Sequence, residues 1–153
     1  MARRTNRRKF LQTSAAIGAG YWVLGGIAPK ERRSALEKIN FASIGVGGKG
    51  SSDSQDAGRA GTMVAICDID DKNLNAAGVR WPNAKKYNDF RKMFEEMGKN
   101  IDAFTVSTPD HMHAVDASLN MKMGKHAFVQ KPMTHSLNEA RFLGELKKKK
   151  KLA

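Results

Sequence analysis

Strand-like and helix-like segments alternate along the chain from residue 37 onward, and this alternation limits the fold more than any other feature of the sequence. Short apolar runs bounded by turn residues predict strands, and longer runs with helical spacing predict helices. The strands are expected at residues 38–44, 63–67, 86–87, 101–107 and 126–130. The helices are expected at residues 51–60, 71–78, 90–97, 113–123 and 137–150.

This alternation predicts an α/β fold with a doubly wound parallel sheet. Parallel neighbours need crossover connections, which are almost always right-handed, so helices cover both faces of the sheet in three layers. Ser136 and Glu139 have the spacing of a capping box, which predicts the start of the last helix. A chain of 153 residues has room for one ordinary domain, and we assign that domain to residues 37–153.

The charge of the chain is concentrated near its two ends. The formal net charge is +12, but residues 3–9 supply five positive charges and residues 147–151 supply another five. The segment between them is nearly neutral, so we expect no basic face and no nucleic-acid partner. We expect the lysine run to be the solvated end of a helix, where positive charge interacts favourably with the helix dipole.

Two further observations exclude classes of protein. Cys67 is the only cysteine, so the chain holds neither an internal disulfide nor a cluster of cysteine ligands. Because Cys67 lies in an apolar run, we expect a buried and unreactive thiol. No uninterrupted apolar run approaches the ~20 residues that a membrane-spanning helix needs.

The first 30 residues have the parts of an export signal. Arg7 and Arg8 are followed by Phe10 and Leu11, and then by a mildly apolar stretch rich in Ala and Gly. This pattern resembles a twin-arginine signal, which implies the twin-arginine export machinery as a partner and the periplasm as the destination. An uncleaved signal would act as a membrane tether. A basic N-terminus without a targeting role is the alternative.

The motif that carries chemistry begins directly after the first predicted strand. Gly45, Gly47 and Gly50 fit the pattern G-x-G-x-x-G, with Gly48 inside the same loop, where a helix is expected to open. In that pattern the first glycine permits a tight turn, the second lets a diphosphate approach the backbone, and the third lets helix and strand pack closely. The N–H groups at the helix start then face the phosphates, so the motif predicts a dinucleotide site.

Asp68 follows the second predicted strand and supports the same interpretation. A carboxylate at this place accepts hydrogen bonds from the ribose hydroxyls of the adenosine half of the cofactor. It repels a 2′-phosphate, and the residues that follow it include Asp70 and Asp71 rather than an arginine. We therefore expect NAD, with NADP disfavoured. A turn or helix cap is the alternative role for Asp68.

Two later segments resemble the Gfo/Idh/MocA family of nicotinamide-dependent oxidoreductases. They are the run DAFTVSTPDHMHA at residues 102–114 and the run GKHAFVQKP at residues 124–132. The resemblance extends from residue 39 to the end of the chain and implies a Rossmann fold that binds NAD. It implies that residues 102–114 end the fourth strand under the nicotinamide half of the cofactor. The cofactor contacts that it implies are Ser107, Thr108, Pro109, His111, His113, Gln130, Lys131 and Pro132.

The resemblance also implies a catalytic residue. The family carries a Glu-Lys-Pro signature whose lysine lies beside nicotinamide and substrate, so it implies Lys131 as the catalytic lysine and Pro132 as the residue that fixes its turn. A lysine there can donate to the substrate oxygen or stabilise charge that develops on it during hydride transfer. Gln130 stands where the family usually has Glu, so a hydrogen-bonding group is kept but a charge is lost.

Two weaker features bear on the same site. His111 and His113 have a spacing found in some metal sites, and Asp110 and Asp116 lie nearby, but no third ligand at a suitable spacing is evident, so we expect no metal. The first helix, residues 51–60, has almost no apolar side chains beyond two alanines. We expect it to be the weakest part of the site, since helices in proteins depend mainly on a packed apolar face.

The family carries a second, α+β domain that binds substrate, and this chain stops near the place where the sixth strand of the family would begin. We therefore expect a fragment, or a chain that a partner completes, and little turnover by the chain alone. With a completing domain, the expected activity is hydride transfer to or from a small carbohydrate-like substrate. A homo-oligomer is compatible with this interpretation. The alternative, favoured by Gln130, is a nucleotide-binding or interaction module without catalysis.

Overall fold

In the computed structural model, residues 37–153 are described, and the expected export signal at residues 1–30 lies outside them. The described part contains one parallel sheet with the strand order β3-β2-β1-β4-β5. The strands are β1 (Asn40–Ile44), β2 (Thr62–Cys67), β3 (Lys85–Tyr87), β4 (Ala103–Val106) and β5 (His126–Val129). The helices between and after them are α1 (Gly48–Ala60), α2 (Asp71–Arg80), α3 (Phe90–Met97), α4 (Asp110–Lys122) and α5 (Leu137–Lys150).

Apolar side chains pack on both faces of this sheet. On one face, Val46 and Ile66 pack with Leu74 of α2 and Ala57 of α1. On the other face, a larger cluster joins Phe104 of β4 to residues of α3, including Met93 and Phe94. A third cluster packs α5 against α4 through Leu143, Leu146 and Ala117. The prediction of a doubly wound three-layer α/β fold is therefore confirmed.

The strand order determines where a ligand can bind. From β1 the chain proceeds outward to β2 and β3, and then crosses back to β4 and β5 on the other side of β1. The turns that follow β1 and β4 therefore diverge, and they leave a crevice at the carboxyl ends of these two strands. Ligands of open α/β sheets bind at such a switch point.

Most element boundaries agree with the sequence analysis, and the capping box of α5 is present as predicted, with Ser136 and Glu139 bonded reciprocally. The main differences are at α1, which begins at Gly48 rather than at residue 51, and at α4, which begins at Asp110 rather than at residue 113. Pro109 holds an extended conformation before it, and the acidic side chain of Asp110 in the first turn interacts favourably with the positive end of the helix dipole. Within residues 37–153, no helix combines the length and the apolar character needed to cross a bilayer.

Candidate functional site

A cavity of about 590 Å³ lies at the switch point, at the carboxyl ends of β1, β2 and β4. It joins three turns that the sequence analysis had connected only by motif. The predicted site residues that line it are Gly45, Gly47, Asp68, Ser107, Thr108, Pro109 and His111. Ile69, Asn73, Phe90 and Met112 also line it, although no sequence signal had singled them out.

The β1–α1 turn is built so closely that two of its positions accept only glycine. Gly45 has a φ of +77°, and a Cβ there would lie 2.6 Å from the carbonyl oxygen of Ser107. A Cβ on Gly50 would collide with the carbonyl oxygen of Gly45. The missing side chains leave an open cradle beside the N-terminus of α1, whose first N–H groups have no intrahelical acceptor. Such a cradle fits a diphosphate.

The carboxylate of Asp68 crosses from the end of β2 to this turn. Its Oδ2 accepts hydrogen bonds from the backbone N–H groups of Val46 at 2.9 Å and Gly47 at 3.2 Å. Its Oδ1 accepts from the N–H of Asp70 at 3.0 Å. Asp68 therefore holds the glycine turn and caps its own turn, and it remains half-buried at the edge of the cavity.

The two histidines have different surroundings. His111 is exposed and lines the cavity. His113 is 1% exposed, and its ring nitrogens lie 2.6 Å from the carbonyl oxygens of Thr108 and Pro132. Through these two contacts His113 joins the β4–α4 and β5–α5 turns, and its contact with the cofactor stays a prediction. No cluster of three metal-binding side chains occurs within residues 37–153.

Asp116 of α4 is a buried carboxyl group at the cavity. It is fully buried, its Oδ2 accepts a hydrogen bond from the Thr108 hydroxyl at 2.9 Å, and its Oδ1 has no partner among the described residues. Burial raises the pKa of Asp116 to about 6, although the Thr108 hydrogen bond and the nearby His113 act in the opposite direction. A carboxyl group in this state takes up a proton in mildly acidic solution.

The segment with Gln130, Lys131 and Pro132 lies beside the cavity but does not line it. The backbone N–H of Gln130 donates to the carbonyl of Val106 at 2.9 Å, which holds this segment at the end of β4. Lys131 is exposed, and the bond between Lys131 and Pro132 is cis. The side chain of Gln130 points back toward α1, where its Nε2 donates to Asp53 at 2.8 Å.

Asp53 is the site residue that the sequence analysis missed. It lies on the buried face of α1 and is 6% exposed. Burial acts to raise the pKa of Asp53, but hydrogen bonds from Lys49, Gln130 and Ser107 outweigh it and hold the pKa below its usual value. The carboxylate is therefore ionised at neutral pH. No short motif marks it, because its partners lie as far as 77 residues away in the sequence.

Cys67, at the end of β2, is buried as expected. Burial, together with the carboxylates of Asp68 and Asp116, raises the pKa of its thiol to about 12. Since the thiolate is the nucleophilic form, this cysteine has no reactive form near neutral pH.

The parallel sheet, the glycine cradle and the carboxylate at the end of β2 together define a dinucleotide-binding domain of the Rossmann type. A family model described as "Oxidoreductase family, NAD-binding Rossmann fold" matches residues 39–153. The chain belongs to this family, Gfo/Idh/MocA, and the described part is its NAD-binding domain.

Individual relatives agree with this assignment. A glycosyl hydrolase family 109 protein of Shewanella pealeana is 26% identical over 88% of this chain and 35% of its own length. An uncharacterized oxidoreductase of Escherichia coli, YdgJ, is 32% identical over 60% of this chain and 25% of its own length. The chain thus spans about a third or less of the curated relatives it matches.

A solved structure shares the fold. The WlbA dehydrogenase of Bordetella pertussis, crystallised with NADH and UDP-GlcNAcA, superposes with a TM-score of 0.65 at 23% identity. The superposition covers 76% of this chain and 36% of the WlbA chain.

Proposed function

We propose that this chain forms the cofactor half of an oxidoreductase that transfers hydride between NAD and an alcohol or carbonyl carbon of a carbohydrate-like substrate. The observation that carries the proposal is the glycine cradle, closed on one side by the carboxylate of Asp68. The cofactor supplies the hydride acceptor or donor. For the substrate, the proposal rests on relatives of which this chain spans about a third or less.

The surroundings of the cavity support a defined orientation for the dinucleotide. The diphosphate is expected at the N-terminus of α1, where backbone N–H groups and the helix dipole favour negative charge. The adenosine ribose is expected at Asp68, beside Ile69, which is 91% exposed and offers an apolar surface to the adenine. The nicotinamide is then expected toward Ser107, Thr108 and Pro109.

Lys131 is the proposed catalytic residue. Its exposed ammonium group follows β5, next to the end of β4 at which the nicotinamide is expected. When a substrate carbonyl is reduced, the ammonium can donate a hydrogen bond or a proton to the oxygen that gains negative charge. When an alcohol is oxidised, a neutral lysine can accept the hydroxyl proton.

The names of the relatives support the substrate class. Several curated relatives are called glycosyl hydrolase family 109 proteins, and one structural neighbour was crystallised with a nucleotide sugar. These names describe those proteins. For this chain they make sugars and polyols the first substrates to test.

Binding of NADH to the full chain tests the proposal directly. Isothermal titration calorimetry should detect one site for NADH and a weaker or absent response to NADPH, because a 2′-phosphate would approach the carboxylate of Asp68. The variant Asp68→Ser should narrow the difference between the two cofactors. No heat of binding at millimolar NADH would contradict the proposal.

The role of Lys131 is tested by measuring turnover. The chain joined to the substrate domain of a family relative should oxidise or reduce members of a sugar and polyol panel. Lys131→Ala should lower kcat by at least about a hundredfold, whereas Lys99→Ala, an exposed lysine after α3, should not. An unchanged rate for Lys131→Ala would favour the alternative, a nucleotide-binding module without catalysis.

We also propose export through the twin-arginine route, on the strength of the pattern at Arg7 and Arg8. Replacing both by lysine should keep the protein in the cytoplasm of a bacterial host. The control replaces the neighbouring pair, Arg3 and Arg4, by lysine, and it should leave export intact. Periplasmic fractions probed with an antibody distinguish the two results.

A further inference from the structure

Asp53 connects three parts of the site that are distant in sequence. Its Oδ2 accepts hydrogen bonds from the Ser107 hydroxyl in the β4–α4 turn and from the Gln130 amide after β5, both at 2.8 Å. Its Oδ1 pairs with the ammonium group of Lys49 on the same helix. One carboxylate therefore holds α1 to the ends of β4 and β5.

Gln130 is suited to this carboxylate because both the nitrogen and the oxygen of its side-chain amide form hydrogen bonds. Its Nε2 donates to Asp53, and its Oε1 accepts a hydrogen bond from the backbone N–H of Lys131 at 2.8 Å. A glutamate at this position could still accept from Lys131, but its second oxygen would face the ionised Asp53. Two carboxylates in contact repel each other unless one of them holds a proton.

We propose that Asp53 is a positioning residue, which orients Gln130 and through it the backbone of Lys131, and that Asp53 is the reason this chain carries glutamine at position 130. In this chain the carboxylate that the Gln130 amide contacts is on α1, and it brings a negative charge to the carboxyl ends of β4 and β5. The effect on catalysis rests on the function proposed above.

Within residues 37–153, few charged groups lie close to Asp53. Lys49 is the charged group that faces it from its own helix, and its side chain is 61% exposed, so solvent screens this ion pair. From β4 and β5, the neutral side chains of Ser107 and Gln130 face it. The orientation of Gln130 therefore depends mainly on the ionised state of Asp53.

The experiment exchanges the carboxylate of Asp53 and the amide of Gln130. Gln130→Glu, Asp53→Asn and the double variant are made in the full chain, with Asp56→Asn as the control because Asp56 lies on the same helix but is exposed. Thermal unfolding is measured at pH 8 and pH 5, and the Kd for NADH at pH 8. The double variant again pairs one amide with one carboxylate, so it tests the contact itself and not merely the loss of a side chain.

We expect Gln130→Glu to unfold about 5 °C below the wild type at pH 8. This deficit should shrink at pH 5, where one of the two carboxyl groups can hold a proton and donate a hydrogen bond to the other. The double variant should recover most of the deficit at pH 8. The Kd for NADH should rise about tenfold in Gln130→Glu and return toward the wild-type value in the double variant. Asp56→Asn should change neither quantity.

Two results would overturn the proposal. One is a Gln130→Glu variant that is as stable as the wild type at pH 8. This result overturns the proposal whatever Asp53→Asn does. The other is a double variant no more stable than the weaker single variant. If none of the proteins binds NADH, the proposed function fails, while the unfolding temperatures still decide whether Asp53 and Gln130 form the proposed pair.

Discussion

Single glycines determine the shape of the cradle. The structure shows at which glycines a side chain would collide with other atoms and at which it would fit. A Cβ at Gly50 would collide with backbone, whereas a Cβ at Gly144, within α5, would have no atom of residues 37–153 within 4 Å. Backbone cannot yield as the end of a flexible side chain can. The two positions therefore provide a matched pair for substitution.

Gly50→Ala should lower the free energy of unfolding by about 2 kcal/mol, because α1 must move away from β1 to admit the methyl group. It should also weaken NADH binding, since the cradle widens. Gly144→Ala should instead raise the free energy of unfolding by up to about 1 kcal/mol, since alanine favours helix over glycine. Urea unfolding measures both effects. Equal stabilities for the two variants would contradict the close approach at Gly50.

The buried carboxyl of Asp116 makes the stability of the fold depend on pH. In the folded chain its pKa is about 6, whereas its ordinary value is 3.8. Between these values the folded state binds more protons than the unfolded state, so the free energy of unfolding falls as the pH rises from about 4 to about 6. The loss is complete above pH 6 and amounts to at most about 3 kcal/mol.

Asp116→Asn should remove this loss. Relative to the wild type, the variant should be more stable at pH 7.5, and the difference should disappear as the pH falls toward 4. Unfolding in urea across this pH range measures the effect, and Asp56→Asn serves as the exposed control. A variant that is less stable than the wild type at pH 7.5 would show that the ionised carboxylate is needed where it lies.

At the scale of elements, α1 shows what an apolar pattern does not reveal. Its buried residues are Gly50, Asp53, Ser54 and Ala57, which recur at the helical spacing although none is large or strongly apolar. A search for apolar side chains predicts a weakly held helix. The structure instead joins α1 to the sheet by close backbone approach and by the hydrogen bonds of Asp53.

This packing predicts that α1 tolerates small residues and rejects large ones. Ser54 is fully buried, and among the described residues its hydroxyl donates a hydrogen bond only to the carbonyl of Ser51 within the helix. Ser54→Ala should change the free energy of unfolding by less than about 1 kcal/mol. Ser54→Leu should lower it by about 1–3 kcal/mol through overpacking. If leucine stabilised the protein, α1 would have free space beneath it.

Four of the strands were predictable from sequence because each contains a short apolar run between turn residues, and the alternation with helices predicts a doubly wound parallel sheet. The order of the strands was not predicted, and β3, with the sequence Lys-Lys-Tyr, has no apolar run to mark it. The glycine turn and Asp68 were predictable because they lie close to the strands that they follow. The contacts of Asp53 and His113 were not, since each joins residues of separate turns. Only the folded sheet brings those turns together.

At the scale of the whole molecule, cofactor binding should stabilise the entire domain. A ligand that binds only the folded state adds about 2.7 kcal/mol at a concentration of 100 Kd. Differential scanning fluorimetry with NADH should therefore show a clear rise in Tm, which Gly50→Ala should reduce. If AMP alone raised Tm by the same amount, the stabilisation would come entirely from the adenosine half of the cofactor.

The hydrogen bond from Gln130 to Asp53 joins residues 77 positions apart, and it connects the end of β5 to α1, the helix that follows the glycine turn. A ribosome delivers the turn at residue 45 long before it delivers Gln130. For much of its synthesis, the nascent chain therefore contains the glycine turn without the residues that complete the site. The site can form only after β5 and Gln130 have been made.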